Sequence, residues 1–456
     1  MKLIYNIKDK PKFSQLIVFA IQQLLAIMAA TLVVPVIVGN GMEPAAALFG
    51  AGCGTLIYIL FTKASSPVFL GSSFAFLGSM AAAFAGAATV ELGYLGLIIG
   101  AILAGLVYVV IALIVKLVGV AWINKLMPAV VIGPTVAIIG LSLAGNAVGD
   151  ILKGNVTNEA GEMLASPVVA LICGLVTLAV TMLCATFGKK MIRLIPFIMG
   201  ILAGYAVAAI FTIIGNVAGI DAIKILNFGA FSVLWEGGIG LHTFFTIPKF
   251  TFLTALGGFG ELSGSYIASI AVAYVPVAFV VFAEHIADHK NISSIIEKDL
   301  LEDPGLSRTL LGDGVGSMVG AIFGGCPNTT YGESVGCVAI TGNASVVTII
   351  TAAIGAIIIA FINPFVAFVN SIPSCVMGGV CMALYGFIAV SGLKMIQKVD
   401  LEQNRNLFVV SVILISGIGG LSLTFGNVTL TSIACALILG ILANVMFSSL
   451  EKKLNK

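Results

Sequence analysis

The sequence predicts an all-α polytopic membrane protein, and three observations carry that prediction. Only 9% of the 456 residues are charged while 59% are hydrophobic, where a soluble domain is roughly 25% charged. Apolar runs of span length, about 20 residues for a bilayer core, recur along the whole chain. The basic residues are unevenly shared between the loops. With alternate loops on alternate sides, one side holds only Lys153, Lys224 and Lys249 of the 22 lysines and arginines, leaving 19 for the other. Such a bias marks the cytoplasmic side, so both termini are expected inside, and an even number of spans with them. Residues Met1–Lys12 are basic and lead directly into a full-length span, which predicts no cleaved signal.

The first set of spans is expected near 15–38, 45–61, 74–89, 95–117, 128–147, 166–187 and 195–217. The second is expected near 266–288, 309–324, 333–343, 346–362, 374–392, 406–423 and 429–448. The third and tenth are short, and each follows a proline-bearing stretch, Ser65–Ser73 and Cys326–Gly332. Proline lacks the N–H a helix needs and biases the preceding residue away from helix. Between the two sets, Gly219–Gly260 is rich in glycine and aromatic residues, with Trp235, Phe244 and Phe245. It reads as an outer loop with interfacial helical pieces. Ile296–Asp313 reads as a charged inner connection, with Leu300, Leu301, Leu306 and Leu310 forming an amphipathic piece.

An internal repeat links the two sets. Gly52, Gly54, Thr55 and Leu56 match Gly314, Gly316, Ser317 and Met318 at an offset of 262, which also lays Gln22-Gln23 on Glu284-His285. After a two-residue difference in length, Pro67 meets Pro327 and Ser73 meets Glu333. Seven spans, an odd number, separate the equivalents, so the halves run in opposite orientation. Inverted repeats with interrupted helices in matching positions point to a secondary transporter with its site near the midplane.

The residues able to carry chemistry cluster at these interruptions. Asn328, Thr329, Thr330, Tyr331 and Glu333 put polar groups at membrane depth, where irregular backbone survives only inside protein or along a watery cavity. A carboxylate there is by default a functional candidate. Glu284 and Asp288 are four apart at the end of the apolar run Ile270–Ala283 and share a helix face, with His285 and His289 as a second stripe. Two readings stay open at this point: buried acids at a site, or interfacial charges where the helix surfaces. Phe74 could be a packing residue or a wall for a ligand. Two half-helix N-termini offer free N–H donors, the glutamates offer acceptors, and an aromatic ring offers a face. That set suits a small planar heterocyclic imide or amide. The eight cysteines, with no Cys-x-x-Cys pair, read as small apolar fillers. Three histidines (His242, His285 and His289) are too scattered for a metal cage. No metal or other cofactor is expected.

At these residues the chain resembles the nucleobase–ascorbate transporter family, in particular its bacterial uracil permeases. The resemblance rests on Pro327-Asn-Thr-Thr-Tyr-Gly-Glu333, Val335-Gly336 and Ala339-Ile340-Thr341. It extends to Ala283-Glu284-His285, Lys298–Leu306, Leu70-Gly-Ser-Ser-Phe-Ala-Phe76 and Val376-Met-Gly-Gly379, in the family's order over nearly the whole chain. It implies 14 transmembrane segments in two inverted seven-span repeats, with short antiparallel strands in spans 3 and 10, divided into core and gate domains. The core would take 1–120 and 261–345 together with span 11. The gate would take 121–260, including the outer loop, and spans 12–14 of 346–456. It further implies a nucleobase held by Glu284 and Glu333, its carbonyls met by backbone amides at Phe74 and Gly332, with Phe74 and Tyr331 as walls. Ala30 and Ser73 complete the expected substrate-binding set. Dimers are common in the family.

Four positions depart from the pattern. The family's Gln-His pair in span 1 is Gln22-Gln23, its asparagine after the glutamate is Ser334, and its Arg or Lys after Thr341 is Gly342. Asp288 stands where uracil permeases can carry a histidine linked through water to a tyrosine at the position of Tyr385. The expectation is a cytoplasmic-membrane importer of a nucleobase, uracil first, by proton symport with alternating access. Glu284, Asp288 and Tyr385 are the groups linked to the proton, and Na⁺ is an open alternative. The rivals are a xanthine or urate permease of the same fold and, less favoured, an anion exchanger of the related fold. No enzyme is expected, since no His-Glu-x-x-His and no paired Asp-rich metal motif is present.

Overall fold

The computed structural model describes residues 3–119, 122, 128–158, 163–189, 191–425 and 428–454. Lys2, Lys125, Lys190 and Lys456 of the charge tally, and the expected domain boundary at 120/121, lie outside the described residues. Among the described residues nine helices are long and apolar enough to cross a membrane, and three shorter apolar helices accompany them. Large apolar side chains such as Leu113 and Leu117, Leu183 and Phe187, and Ile210, Ile214 and Val217 are exposed on helix surfaces. Water would penalise so much outward apolar surface, whereas lipid accepts it. The chain is a multi-pass membrane protein.

The first half runs through α1 (Phe13–Val38), α2 (Pro44–Phe61), the strand β1 (Leu70–Ser72), α3 (Leu77–Ala85) and α4 (Val90–Val118). It continues through α5 (Ala129–Ser142), α6 (Pro167–Phe187) and α7 (Pro196–Ala218). The second half runs through α8 (Gly264–Ile296), α9 (Leu306–Gly324), the strand β2 (Asn328–Thr330), α10 (Gly332–Thr341) and α11 (Val346–Ile359). It ends with α12 (Ser374–Ile396), α13 (Asn404–Ile418), a hairpin of β3 (Leu423–Phe425) and β4 (Val428–Leu430), and α14 (Ser432–Leu454). The β3–β4 pairing falls where the apolar pattern reads only as span ends. Between α7 and α8 the loop forms short helical pieces, including Phe228–Leu234, Leu241–Phe244 and Thr251–Ala255, with Trp235, Phe244 and Phe245 exposed.

One expectation needs correcting. The charged connection read over 296–313 is shorter, because α9 begins at Leu306, and Asp313 lies inside α9 at 0% exposure. Thr309 and Asp313 find buried partners on α8, described below, and both belong to the span expected near 309–324, which the connection read over 296–313 overlapped.

The helices pack in two sets. In one, α2 lies on α9 and α11, α9 on α4, α8 on α4 and α3, and α1 on α11 and α10. In the other, α5 lies on α12 and α13, α6 on α7 and α12, and α13 on α14. Exchanging each helix for its counterpart seven places away maps these pairs onto one another. At the α2–α9 crossing a Cβ on Gly54 would lie 2.6 Å from the Gly316 carbonyl oxygen, and one on Gly316 would lie 2.7 Å from that of Gly54. Small residues let the two backbones touch, and these two glycines are the pair that the repeat offset aligns.

β1 and β2 pair antiparallel, Leu70 with Thr330, Gly71 with Thr329 and Ser72 with Asn328. All six residues are buried. The pairing is extended by Ser73 N–H to the Pro327 carbonyl at 2.9 Å and Tyr331 N–H to the Phe69 carbonyl at 3.3 Å. Each strand supplies the ladder partners that the other's broken helix has lost, so the backbone polar groups are paired far from water.

Candidate functional site

The two strands deliver two helix starts to one place. Ser73 and Tyr331 are both extended, and a helical turn begins immediately after each, at Phe74 and at Gly332. Neither start is capped by a side chain, so its first amides remain donors without an intrahelical acceptor. Beside them passes the middle of α8.

A cavity of about 400 Å³ opens between these elements. One side is formed by Phe74 and Ala75, by Thr329, Tyr331, Gly332 and Glu333, and by Glu284, Ala287, Asp288 and Asn291 of α8. The opposite side comes from α5, α7 and α12, including Val136, Ile139, Phe197, Leu384, Phe387 and Ile388. The polar groups therefore lie almost wholly on one wall, and Ser391 is the polar residue of the other. No lysine or arginine is found among the described residues that line it.

Glu284 and Gly332 are exposed, and the space they face is this cavity. A Cβ on Gly332 would meet only the Asp288 carboxylate, at 3.9 Å, so glycine keeps this wall open. Asp288 is 8% exposed and accepts a 2.8 Å hydrogen bond from the Thr330 hydroxyl, which ties α8 to β2. Tyr331 is 4% exposed, and its hydroxyl donates to the Ser72 carbonyl at 2.7 Å, bracing one break against the other.

Of the residues expected at a site, the fold thus brings Glu284, Asp288, Glu333, Phe74, Tyr331 and Gly332 to one cavity. It does not bring Ala30 or Ser73, each 1% exposed and off the lining. Tyr385 is also buried off the lining, with its ring edge-on to Phe74 at 6.2 Å. Sequence reasoning missed Asn291 and Ser391, and the apolar wall of Phe197, Phe387 and Met395. Asn291 could have been found one turn beyond Ala287 on the Glu284 face. The α12 residues carry no local signal, because only packing sets their facing.

The interfacial reading of Asp288 and His289 is excluded by their burial, 8% and 0% exposed. His285 and His289 form a polar cluster on the back of α8. His285 Nδ1 lies 2.7 Å from Asp313 Oδ2 and its Nε2 lies 3.0 Å from Thr309 Oγ1. His289 Nδ1–H donates to the His285 carbonyl at 2.8 Å, which leaves Nε2 to accept from the Tyr58 hydroxyl at 2.7 Å. The tautomer of His289 follows from that carbonyl partner. The cluster binds α8 to α2 and α9, and so fixes which face of α8 meets the cavity.

A second support runs behind Glu333. Ser334 Oγ accepts from the Gln23 side-chain amide and, at 2.9 Å, from Phe69 N–H. Two of the departures noted above, Gln23 and Ser334, are therefore direct partners.

A family model described as Permease family, covering xanthine and uracil permeases, matches residues 14–425. The uracil permease of Bacillus subtilis (strain 168) is 37% identical over 460 residues, covering 99% of this chain and 97% of the relative. That of Bacillus caldolyticus is 39% identical over 448 residues, covering 98% and 95%. That of Escherichia coli (strain K12) is 34% identical over 444 residues, covering 97% and 93%. These relatives are permeases and not enzymes. Among solved structures, the transmembrane domain of the cyanobacterial bicarbonate transporter BicA superposes with a TM-score of 0.64 at 16% identity, covering 96% of this chain and 100% of that domain. The murine Slc26a9 anion transporter superposes with a TM-score of 0.65 at 12% identity, covering 97% and 69%. These two establish a shared transporter fold. With an acid-bearing cavity between two helix sets and full-length permease relatives, the chain belongs to the xanthine/uracil permease family, the nucleobase–ascorbate transporters.

Proposed function

We propose that the chain imports a nucleobase, uracil first, across the cytoplasmic membrane by proton symport with alternating access. The observation that carries this reading is the convergence of Glu284 and Glu333 on one cavity with Phe74, Tyr331 and Gly332. The carboxylates accept from ring N–H groups, the helix-start amides donate to ring carbonyls, and the aromatic side chains flank a flat ring. A volume of about 400 Å³ lies in the usual range for small-ligand sites. The acidic lining, with no basic side chain among the described residues, argues against an anion substrate, although the BicA and Slc26a9 folds are alike.

The exchange of packing partners between halves supports fourteen spans in two inverted seven-span repeats. In this reading α1–α4 and α8–α11 form a core that carries the polar wall. The sets α5–α7 and α12–α14 form a gate that presents the apolar one. An apolar gate lets the core slide without breaking hydrogen bonds across the boundary. The cavity continues along α8 to Asn291 and along α12 to Met395, toward the lysine- and arginine-rich side. With that side and both termini in the cytoplasm, this is an inward-open state. Protonation of Glu284, shared with Asp288, removes charge from the loaded core before it moves. Tyr385 lies off the cavity lining, so no direct part in that proton step is assigned to it, and a homodimer is the assembly we assign.

Uptake of labelled uracil by cells or vesicles tests the reading. Glu284→Gln and Glu333→Ala should each abolish uptake while the protein remains in the membrane, and full transport by both would refute the site. Inhibition of uracil uptake by excess xanthine would shift the substrate to a purine. Uptake that follows a sodium gradient and not a proton gradient would replace the coupling ion.

A further inference from the structure

The chain ahead of α1 is tied down. Residues 3–9 lie along the link between α10 and α11, where the N–H groups of Ile4 and Tyr5 both donate to the Gly342 carbonyl, at 2.7 and 3.2 Å. Ala344 N–H donates to the Tyr5 carbonyl at 2.9 Å and Val346 N–H to the Ile7 carbonyl at 3.0 Å. The Ser345 hydroxyl donates to the Asp9 carbonyl at 2.6 Å. Leu3 and Ile7 pack against the apolar cluster that includes Tyr331, Val335 and Val338. Tyr5 joins the segment to α1, through a hydroxyl bond to the Gln15 side chain and an edge-on contact with Phe19 at 6.0 Å.

Gly342, one of the four departures noted above, ends α10 with a left-handed φ of +65°, and a Cβ there would lie 3.4 Å from Ile4. Glycine therefore both stops the helix and lets the segment lie close. The helix α10 has ten residues, so about 15 Å separates its ends. Its first turn carries Gly332 and Glu333 into the large cavity, and Gln23 of α1 supports that end through Ser334. The segment 3–9 holds the other end. Sliding or tilting α10 would carry Glu333 with it and would break the bonds at Gly342, so these bonds help to fix where the carboxylate stands.

We propose that residues 3–9 are a positioning strap for the substrate site, setting the place of Glu333 from the far end of α10 without touching the cavity. The strap acts on binding through Glu333, so its role rests on the reading of that residue as a substrate ligand. Strap and site are coupled through one short helix, and such coupling is reciprocal. Loosening the strap weakens binding, and binding tightens the strap. A segment that only capped the α10–α11 link would add stability and leave affinity alone.

Hydrogen exchange on the full chain in lipid tests both directions. Saturating uracil should slow exchange of the Ile4, Tyr5, Ala344 and Val346 amides about 2- to 10-fold, and no change on binding would overturn the proposal. Ile4→Pro removes the shorter bond to Gly342 at an exposed side chain, and Ile4→Ala keeps it. The proline variant should raise exchange at Ala344 and Val346 and weaken uracil binding about 2- to 10-fold per folded molecule, with the alanine variant close to wild type. Unchanged exchange in the proline variant, or a lower melting temperature at unchanged affinity, would each overturn the positioning role. The exchange of Ala344 and Val346 without ligand reads the strap whatever is transported. If the wild-type protein binds xanthine and not uracil, the substrate reading fails, and the same measurements with xanthine decide the strap.

Discussion

The chain interrupts a helix twice, before Phe74 and before Gly332, with the same backbone and different chemistry. Both breaks use three buried strand residues, an extended residue and an uncapped helix start. The second adds a carboxylate, Glu333, braced from behind by Ser334. The first adds only an aromatic ring, and its counterpart of Glu333 is Ser73, whose hydroxyl has no partner among the described residues. Pairing of the two breaks is a backbone requirement, so each depends on the other. Recognition is a side-chain matter and is concentrated on one of them, with α8 supplying the second acid.

That contrast can be broken experimentally. The largest effect is expected from Glu333→Gln, which keeps the shape and removes the charge. Losing a charge-assisted hydrogen bond of about 1.5–3 kcal/mol should cut uptake about 10- to 150-fold, whereas near-normal transport would remove Glu333 from the site. Gly71→Ala attacks the shared backbone instead. Its new Cβ would run into the Tyr331 ring of the opposite break, and overpacking of this kind costs about 1–3 kcal/mol. A lower melting temperature of the purified protein, together with reduced uptake, would show that damage to one break is felt in the other.

Phe74→Ala should be milder. Removing an aromatic contact worth about 0.5–1.5 kcal/mol would weaken apparent substrate affinity about 2- to 10-fold, with Phe74→Tyr close to wild type. A competition titration with unlabelled uracil measures this. Ser73→Ala should do least, within about 0.5 kcal/mol in stability and with uptake retained, because the residue contributes its backbone N–H and not its hydroxyl. Strong loss of uptake there would mean that the first break also recognises substrate through a side chain.

Much of this was legible from local chemistry. Pro67 and Pro327 mark the breaks because proline removes a helix donor, and Glu333 stands out as an acid in an apolar region. Glu284 is conspicuous at the end of a long apolar run, and the i, i+4 spacing correctly places Asp288 on its face. The misreadings share one cause. Asp313 fell both in the charged connection 296–313 and in the span expected near 309–324, and its burial in α9 against His285, 28 positions earlier and 2.7 Å away, decides for the span. Ser73 is next to Phe74 along the chain and Ala30 lies on α1, but both side chains are buried off the cavity lining. Phe387, Ser391 and Met395 enter the cavity only because α12 is held against α5 and α6.

Apolar run length, proline and the placement of charge are properties of single segments, and they suffice for a many-helix membrane protein with two paired interruptions. Which face of α8 meets the cavity and which helices supply the apolar wall depend on contacts between residues tens to hundreds of positions apart. In a bilayer, lipid and the protein interior are equally apolar, so hydropathy cannot distinguish a helix face turned to lipid from one turned to a neighbour. Close packing at glycine crossings and buried hydrogen bonds make that choice, and both exist only once the helices have assembled.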